Sequence, residues 1–217
     1  MRVVASLLLA VAPWLPLPST AAPPEAATNA QAIVARLART PPARTAYTEV
    51  RWSSLLERPL VLRGELEYLG PGKLGKRVDA PYREQLNVAD GQAKVQRGEG
   101  AVRSFSLGQA PELEGFLRGF AALLSGDAAA LERDFTLDAS GDDAAWRLVL
   151  KPRDRRLALR IRAIEVEGAD GAARCFRTRQ ADGDLAVLLV ESLAEAKIPN
   201  RPSAPQIDAL CRGDAAK

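Results

Sequence analysis

The chain has 217 residues, of which 47% are apolar and 26% are charged, values that favour one globular domain and disfavour native disorder. Histidine is absent, which excludes histidine-dependent catalytic triads and zinc sites. The formal net charge is only +3, so the charge balance does not indicate a nucleic-acid partner, and we expect none.

The N-terminal segment has the features of a secretory signal peptide. Arg2 gives a positive start, residues 3–17 form an apolar run broken by proline, and Ser19-Thr20-Ala21 supplies the small residues that signal peptidase reads. The run is shorter than the roughly 20 residues that a membrane-spanning helix needs. We therefore expect residues 1–21 to be removed and the protein to be located in the periplasm.

The two cysteines are expected to form a disulfide, because exported proteins fold in an oxidising compartment. A bond between Cys175 and Cys211 would tie the C-terminal tail, residues 197–217, back to the last strands. This tail follows a Pro-rich stretch without periodicity, and we expect it to be mobile apart from the disulfide. No cysteine directly follows the signal segment, so a lipid anchor is not expected.

The first periodic segment predicts a short helix. Apolar residues recur at helical spacing over residues 29–39, and Pro41-Pro42 ends the run. From residue 45 the period changes to two, which predicts half-buried antiparallel strands at 45–54 and 60–69.

Alternation assigns each of these strands an apolar face. In the first strand, Val50 and Trp52 lie on the apolar face, and Tyr47, Glu49 and Arg51 lie on the other face. In the second strand the apolar face consists of Leu60, Leu62, Leu66 and Tyr68.

The remaining pattern predicts a strand-rich α+β fold. Further strands are predicted at residues 73–78, 82–88, 92–96, 101–107, 135–139, 146–150, 157–166, 175–180 and 185–190. Helices are predicted at 111–124 and 127–133. About ten or eleven antiparallel strands with two or three helices, and no βαβ unit, favour one strongly curled sheet covered by the helices.

Charged residues that alternate with apolar ones on these strands are expected to face solvent. Glu165 and Glu167 share one strand face in this interpretation. Arg156, Arg160 and Arg162 share another, which would suit an anionic headgroup or an acidic partner if it is not simply solvated.

Several short motifs, in this order, resemble a known family. An amphipathic helix is followed by YTEVRW at residues 47–52, GELEY at 64–68, DAPY at 79–82 and the hairpin VADGQ at 88–92. Over residues 29–193 the chain resembles the periplasmic lipoprotein carrier LolA, and in particular its divergent LolA-related relatives. The resemblance implies an incomplete antiparallel β-barrel with a helical lid and a hydrophobic cavity that shelters acyl chains. It defines residues 22–196 as the lipid-binding domain.

The candidate cavity is formed by the inward apolar residues of the strands and of the 111–124 helix. These residues are Val50, Trp52, Leu62, Leu66, Tyr68, Leu86, Val88, Phe105, Leu113, Phe116, Leu117, Phe120, Trp146, Leu148 and Leu150. Any single one of them is more often a residue of a filled core, so only the whole set indicates a cavity.

One motif departs from the family. In LolA an arginine precedes the proline after the second long strand and controls the lid, whereas this chain has Gly70-Pro71. The control of the lid and the identity of the passenger therefore stay open. The chain also lacks the lipid-modified cysteine of the acceptor LolB, which favours a carrier role over an acceptor role.

The resemblance implies a monomeric carrier without catalysis and without a cofactor. Its expected partners are lipid or lipoprotein acyl chains, an inner-membrane donor and an outer-membrane acceptor, with transient membrane contact. Three alternatives stay open: a carrier of a polyene-type lipid or pigment ester, an interaction module with a filled core, and an enzyme on the same fold. The enzyme would need convergent polar groups inside the cavity, which the predicted faces do not supply.

Overall fold

The computed structural model describes residues 29–213, so the predicted signal peptide lies outside the described residues. The strands are β1 (Ala43–Trp52), β2 (Leu60–Gly70), β3 (Lys73–Ala80), β4 (Glu84–Ala89), β5 (Gln92–Arg97), β6 (Arg103–Ser106), β7 (Phe135–Gly141), β8 (Trp146–Pro152), β9 (Ile161–Ala169), β10 (Ala172–Gln180) and β11 (Leu185–Val190). The α-helices are α1 (Ala30–Leu37), α2 (Pro111–Ser125), α3 (Ala128–Asp134), α4 (Arg155–Ala158) and α5 (Ala204–Arg212), and 3₁₀ turns occupy Leu107–Gln109 and Glu191–Leu193.

All eleven strands belong to one antiparallel sheet, in the order β6-β5-β4-β3-β2-β1-β11-β10-β9-β8-β7. Neighbouring strands follow one another along the chain, except that β1 pairs with β11 in the middle of the sheet. The outermost strands, β6 and β7, do not pair with each other, so the sheet stays open. The predicted fold class, a mainly β half-barrel of ten or eleven antiparallel strands, is confirmed.

Helices α1, α2 and α3 pack on one face of the sheet, which we call the inner face. Ile33 and Val34 of α1 and Leu131 of α3 are fully buried against this face. α1 begins at Asn29, whose side chain accepts a hydrogen bond from the backbone of Gln31. The predicted first helix, the 111–124 helix and the 127–133 helix all form.

Helix α2 approaches β7 closely because residue 119 is a glycine. Gly115 and Gly119 are buried, and a Cβ atom at Gly119 would lie 2.3 Å from a ring carbon of Phe135. α2 ends at Gly126, whose φ of 73° allows the left-handed turn into α3. The glycine at 119 therefore sets how near the helix lies to β7.

The opposite face of the sheet, which we call the outer face, is covered by α5. Ile207 and Cys211 of α5 pack with Val50, Val187 and Leu189 in a second buried cluster. The predicted disulfide between Cys175 and Cys211 is formed and fastens α5 to β10. On the chain-entropy model, a link across 36 residues stabilises the fold by about 4 kcal/mol.

The prediction of a mobile, patternless tail is wrong for residues 204–212, which are helical. Ser203 caps α5 in a capping box with Gln206, and Ile207 and Cys211 are spaced to bury one helical face. The Ser203–Gln206 capping-box spacing is the sequence signal that the prediction missed.

Two charged residues of the outer face, Glu165 and Arg177, are buried rather than solvated. Glu165 is only 5% exposed and pairs with Arg147, Arg177 and Arg179, while Arg177 also pairs with Glu167. Burial opposes ionisation of Glu165, but the hydrogen bonds from the three arginines outweigh it and lower its pKa to about 2. The prediction that Glu165 faces solvent is therefore wrong, because the tail helix covers it.

The predicted strand at 157–166 begins only at Ile161. Asp154 accepts a hydrogen bond from the backbone of Leu157 at 2.8 Å and starts the short helix α4. Leu157 is consequently buried and Leu159 is 76% exposed, so the arginines predicted to share a strand face do not share one. The local cap overrides the period of two in this segment.

The glycines of α2 give a matched pair of variants. Gly119→Ala is expected to lower the free energy of unfolding by about 1–3 kcal/mol, since the new methyl group overlaps Phe135. Gly115→Ala is expected to raise it by up to about 1 kcal/mol, because its methyl group would meet Leu157 at an ordinary 3.5 Å and alanine favours helix. Urea unfolding of both variants tests this, and equal effects would contradict the described helix position.

Candidate functional site

A cavity of about 660 Å³ lies between α2 and the inner face of the sheet. Its wall comes from β1, β2, β3, β4, β10 and β11, and its roof comes from α2. Most of the lining is apolar. The helices cover the inner face of the sheet only in part, which leaves this space open. The cavity is therefore an unfilled part of the same layer that forms the core.

The roof is aromatic where it crosses the middle of the sheet. The Phe116 and Phe120 ring centroids are 6.2 Å apart, and Phe120 lies 5.4 Å from Phe176 of β10. The two residues of α2 are one helical turn apart, so their rings point down from one face of the helix. Phe176 continues this aromatic row onto the sheet floor.

Ten of the predicted cavity residues line this space. They are Trp52, Leu62, Leu66, Tyr68, Leu86, Val88, Leu113, Phe116, Leu117 and Phe120.

The structure places the other five predicted residues elsewhere. Trp146, Leu148 and Leu150 are buried in the closed core that α1, α2 and α3 cover. Phe105 packs in a small cluster near the β6 edge, and Val50 lies on the outer face against α5. These side chains are apolar because they fill cores, which periodicity alone does not distinguish from a cavity wall.

The two faces of β1 are the reverse of the prediction. Glu49 and Arg51 line the cavity on the inner face, and Val50 is buried on the outer face. Trp52 borders the cavity at the strand end, but its indole N–H donates to the carbonyl of Pro202 at 3.1 Å, on the α5 side. Alternation identifies which residues share a face, but here both faces are buried, so hydrophobicity does not show which one is inside.

This reversal brings three charged side chains together in the apolar wall, which we call the Glu49 cluster: Glu49, Arg51 and Lys76. Glu49 is 5% exposed, and Arg51 donates to its two carboxylate oxygens at 2.7 and 3.2 Å. Lys76 of β3 donates to the same carboxylate, and its Nζ atom lies 5.0 Å from the Tyr47 ring centroid. Two cations thus share one anion.

The Glu49 carboxylate is held in its ionised form. Burial would raise its pKa, but the charge of Lys76 and the hydrogen bond from Arg51 act more strongly, so the pKa lies below the ordinary value. Burial also raises the pKa of Tyr47, whose hydroxyl donates to the carbonyl of Arg77. The cluster therefore keeps one excess positive charge at neutral pH.

Other acidic residues around the cavity have arginine partners. The pairs are Glu67 with Arg44, Glu84 with Arg97, and Glu191 with Arg39. Asp184, at the end near the β1–β2 hairpin, accepts a hydrogen bond from the backbone of Ser54. Each of these acids is therefore already engaged by another group of the protein.

The β1–β2 hairpin borders one end of the cavity. Leu55 and Leu56 of this hairpin both border the cavity, and Leu55 is 92% exposed. At the other end, the backbone N–H of Arg39 donates to the carbonyl of Leu124 and fastens the C-terminal turn of α2. The hairpin end of the cavity is therefore bordered by exposed apolar side chains.

Within residues 29–213, no group of three or more Cys, Asp or Glu side chains is placed to hold a metal ion. None of the helices in that described part is both long and apolar enough to cross a bilayer.

Comparison of the sequence with known protein families shows which family the chain belongs to. The family described as outer membrane lipoprotein carrier protein LolA-like matches residues 21–214. The chain belongs to this LolA-like family. The resemblance inferred from the sequence motifs is thereby confirmed. No curated protein matches the chain.

Solved structures with a similar arrangement have low sequence identity. A LolA superfamily protein of Nitrosomonas europaea is 13% identical with a TM-score of 0.43, covering 80% of this chain and 96% of its own. LprF of Mycobacterium bovis is 13% identical with a TM-score of 0.36, covering 80% and 97%. A DUF1329 family protein of Desulfovibrio piger is 11% identical with a TM-score of 0.42, covering 87% and 98%.

Proposed function

We propose that this LolA-like protein is a periplasmic carrier that holds an acyl chain of a lipoprotein or another lipid and moves it from the inner to the outer membrane. The observation that carries the proposal is the apolar cavity of about 660 Å³ beneath α2. Protein sites for small ligands typically enclose about 300–1,000 Å³. The match to the LolA-like family over residues 21–214 supports the same role.

A carrier of this kind needs a dry space and no chemical step. Each methylene that leaves water gains about 0.8 kcal/mol, so an acyl chain is retained by burial alone. The Phe116, Phe120 and Phe176 rings offer a continuous apolar contact for such a chain. We therefore assign the cavity to binding, without catalysis or a cofactor.

The periplasmic location is proposed from two features. The disulfide between Cys175 and Cys211 is of the kind that persists in oxidising compartments. The sequence of residues 1–21 has the charge, apolar run and small residues of a signal peptide.

The passenger has a second candidate. Gly70 stands where LolA has its lid-controlling arginine, so release of a lipoprotein would need another control in this chain. A polyene-type lipid or pigment ester is therefore the alternative passenger for the same cavity. An interaction module with a filled core is disfavoured by the open space under α2.

The roof of the cavity provides the first test of binding. Phe120→Asp is expected to weaken binding of a fluorescent fatty acid at least tenfold, because a carboxylate beside Phe176 would meet the hydrocarbon. Fluorescence titration measures this, with Phe120→Leu as the conservative variant that keeps binding. Val102→Asp, at a 55% exposed residue outside the lining, is the control. Unchanged affinity in a folded Phe120→Asp protein would contradict the proposal.

The β1–β2 hairpin is proposed to touch the membrane during transfer. Leu55 and Leu56 form an exposed apolar tip that borders the cavity. Contact of this tip with a bilayer would let a hydrocarbon chain pass between lipid and cavity with little exposure to water.

Leu55→Ser is expected to slow transfer of a fluorescent fatty acid from the protein to phosphatidylglycerol-containing vesicles at least threefold. The reason is the loss of apolar area at the tip, and a stopped-flow transfer assay measures it. Leu159→Ser is the matched control, since Leu159 is also exposed but does not border the cavity. Equal slowing in both variants would indicate that the hairpin has no special part in transfer.

A further inference from the structure

Resting on the proposed carrier function, we propose that the Glu49 cluster is a head-group site, and that the preferred passenger is an amphiphile with one anionic head, a carboxylate or a phosphate, and a hydrocarbon tail. The site is the point in the cavity wall where Lys76 and Arg51 share the single carboxylate of Glu49.

The cluster lies inside the apolar wall rather than at its border. On the inner face, Glu49 is opposite Leu62 of β2 and Leu188 of β11 in the strand register. Lys76 is opposite Leu66 and Leu86 in the same way. A polar group placed among leucines is costly to bury unless it has partners. Exposure to solvent does not explain why these charged side chains lie among leucines.

The charge of the cluster favours an anion. Glu49 is nearly fully buried, and both of its carboxylate oxygens accept hydrogen bonds from its two partners. The side chains of Arg51 and Lys76 are 43% and 22% exposed. The ammonium and guanidinium groups have more donors than one carboxylate can accept, so N–H groups of both remain for a ligand. An anionic head within reach would receive charge-assisted hydrogen bonds and balance the excess charge.

The cavity offers an apolar path for the hydrocarbon tail of a ligand whose head binds at the cluster. Leu188, next to Glu49, is opposite Phe176 in the register, and Phe176 lies under Phe120 of the roof. A hydrocarbon chain that starts at the cluster therefore meets leucine and then the aromatic row. Glu67, Glu84 and Glu191, which also line the cavity, have their own arginine partners and do not compete for the two cations.

The test compares cis-parinaric acid, an intrinsically fluorescent fatty acid, with its uncharged methyl ester. The wild-type protein is expected to bind the acid at least tenfold tighter than the ester. Lys76→Met should bring the two affinities together, because the Arg51–Glu49 pair that remains is neutral. Lys76→Arg should keep the preference, and Glu49→Gln should increase it by removing the competing anion.

Lys94→Met is the matched control, since Lys94 is an exposed lysine of β5 whose side chain makes no hydrogen bond or ion pair within residues 29–213. It should retain the full preference for the acid. Thermal unfolding of each variant shows whether it is folded. If Lys76→Met does not fold, the preference of Lys76→Arg for the acid over the ester still tests the proposal.

Displacement of the probe by dodecanoate, dodecyl phosphate and dodecanol distinguishes a carboxylate head from a phosphate head and from a neutral one. Wild-type protein that binds acid and ester equally, or a preference that survives in Lys76→Met, would overturn the head-group site while leaving the carrier intact. Protein that binds neither acid nor ester would overturn both.

Discussion

The structure depends on a mismatch in size between an eleven-stranded antiparallel sheet and the three helices that cover its inner face. A sheet this wide exposes more apolar surface than α1, α2 and α3 can bury, and the uncovered part becomes the cavity beneath Phe116 and Phe120. On the outer face, α5 and the disulfide form a packed cluster around Ile207 instead. One face thus carries a packed cluster, and the other holds the cavity to which we assign binding.

Charge is treated differently on these two faces. Under α5, Glu165 is surrounded by three arginines, and nearly all of these charges are compensated within the protein. On the inner face, Glu49 has two cationic partners whose side chains reach the cavity. A buried ion pair is seldom the most stabilising choice for a core position. The ion pairs around Glu165 hold α5 on the sheet. In our proposal, the excess positive charge of the Glu49 cluster binds the head of a ligand.

The order of the helices and strands can be predicted from the sequence. Which face of β1 points toward the cavity cannot. Alternation and the Asp90-Gly91 turn, both of whose residues have positive φ, fix the strands locally, and the stripe of α2 fixes the roof. The inner side of β1 depends on α5, which lies more than 150 residues along the chain and covers Val50. Periodicity alone therefore assigns Glu49 and Arg51 to solvent, and it does not connect them with Lys76 on another strand.

The central claim is that hydrocarbon occupies the space between α2 and the sheet, and a crystal structure with a terminally brominated fatty acid tests it most directly. The account predicts an anomalous bromine peak beneath Phe120, close to Phe176 and Leu188. A cavity closed by side chains in the crystal, or a bromine peak only on the outer surface, would contradict it.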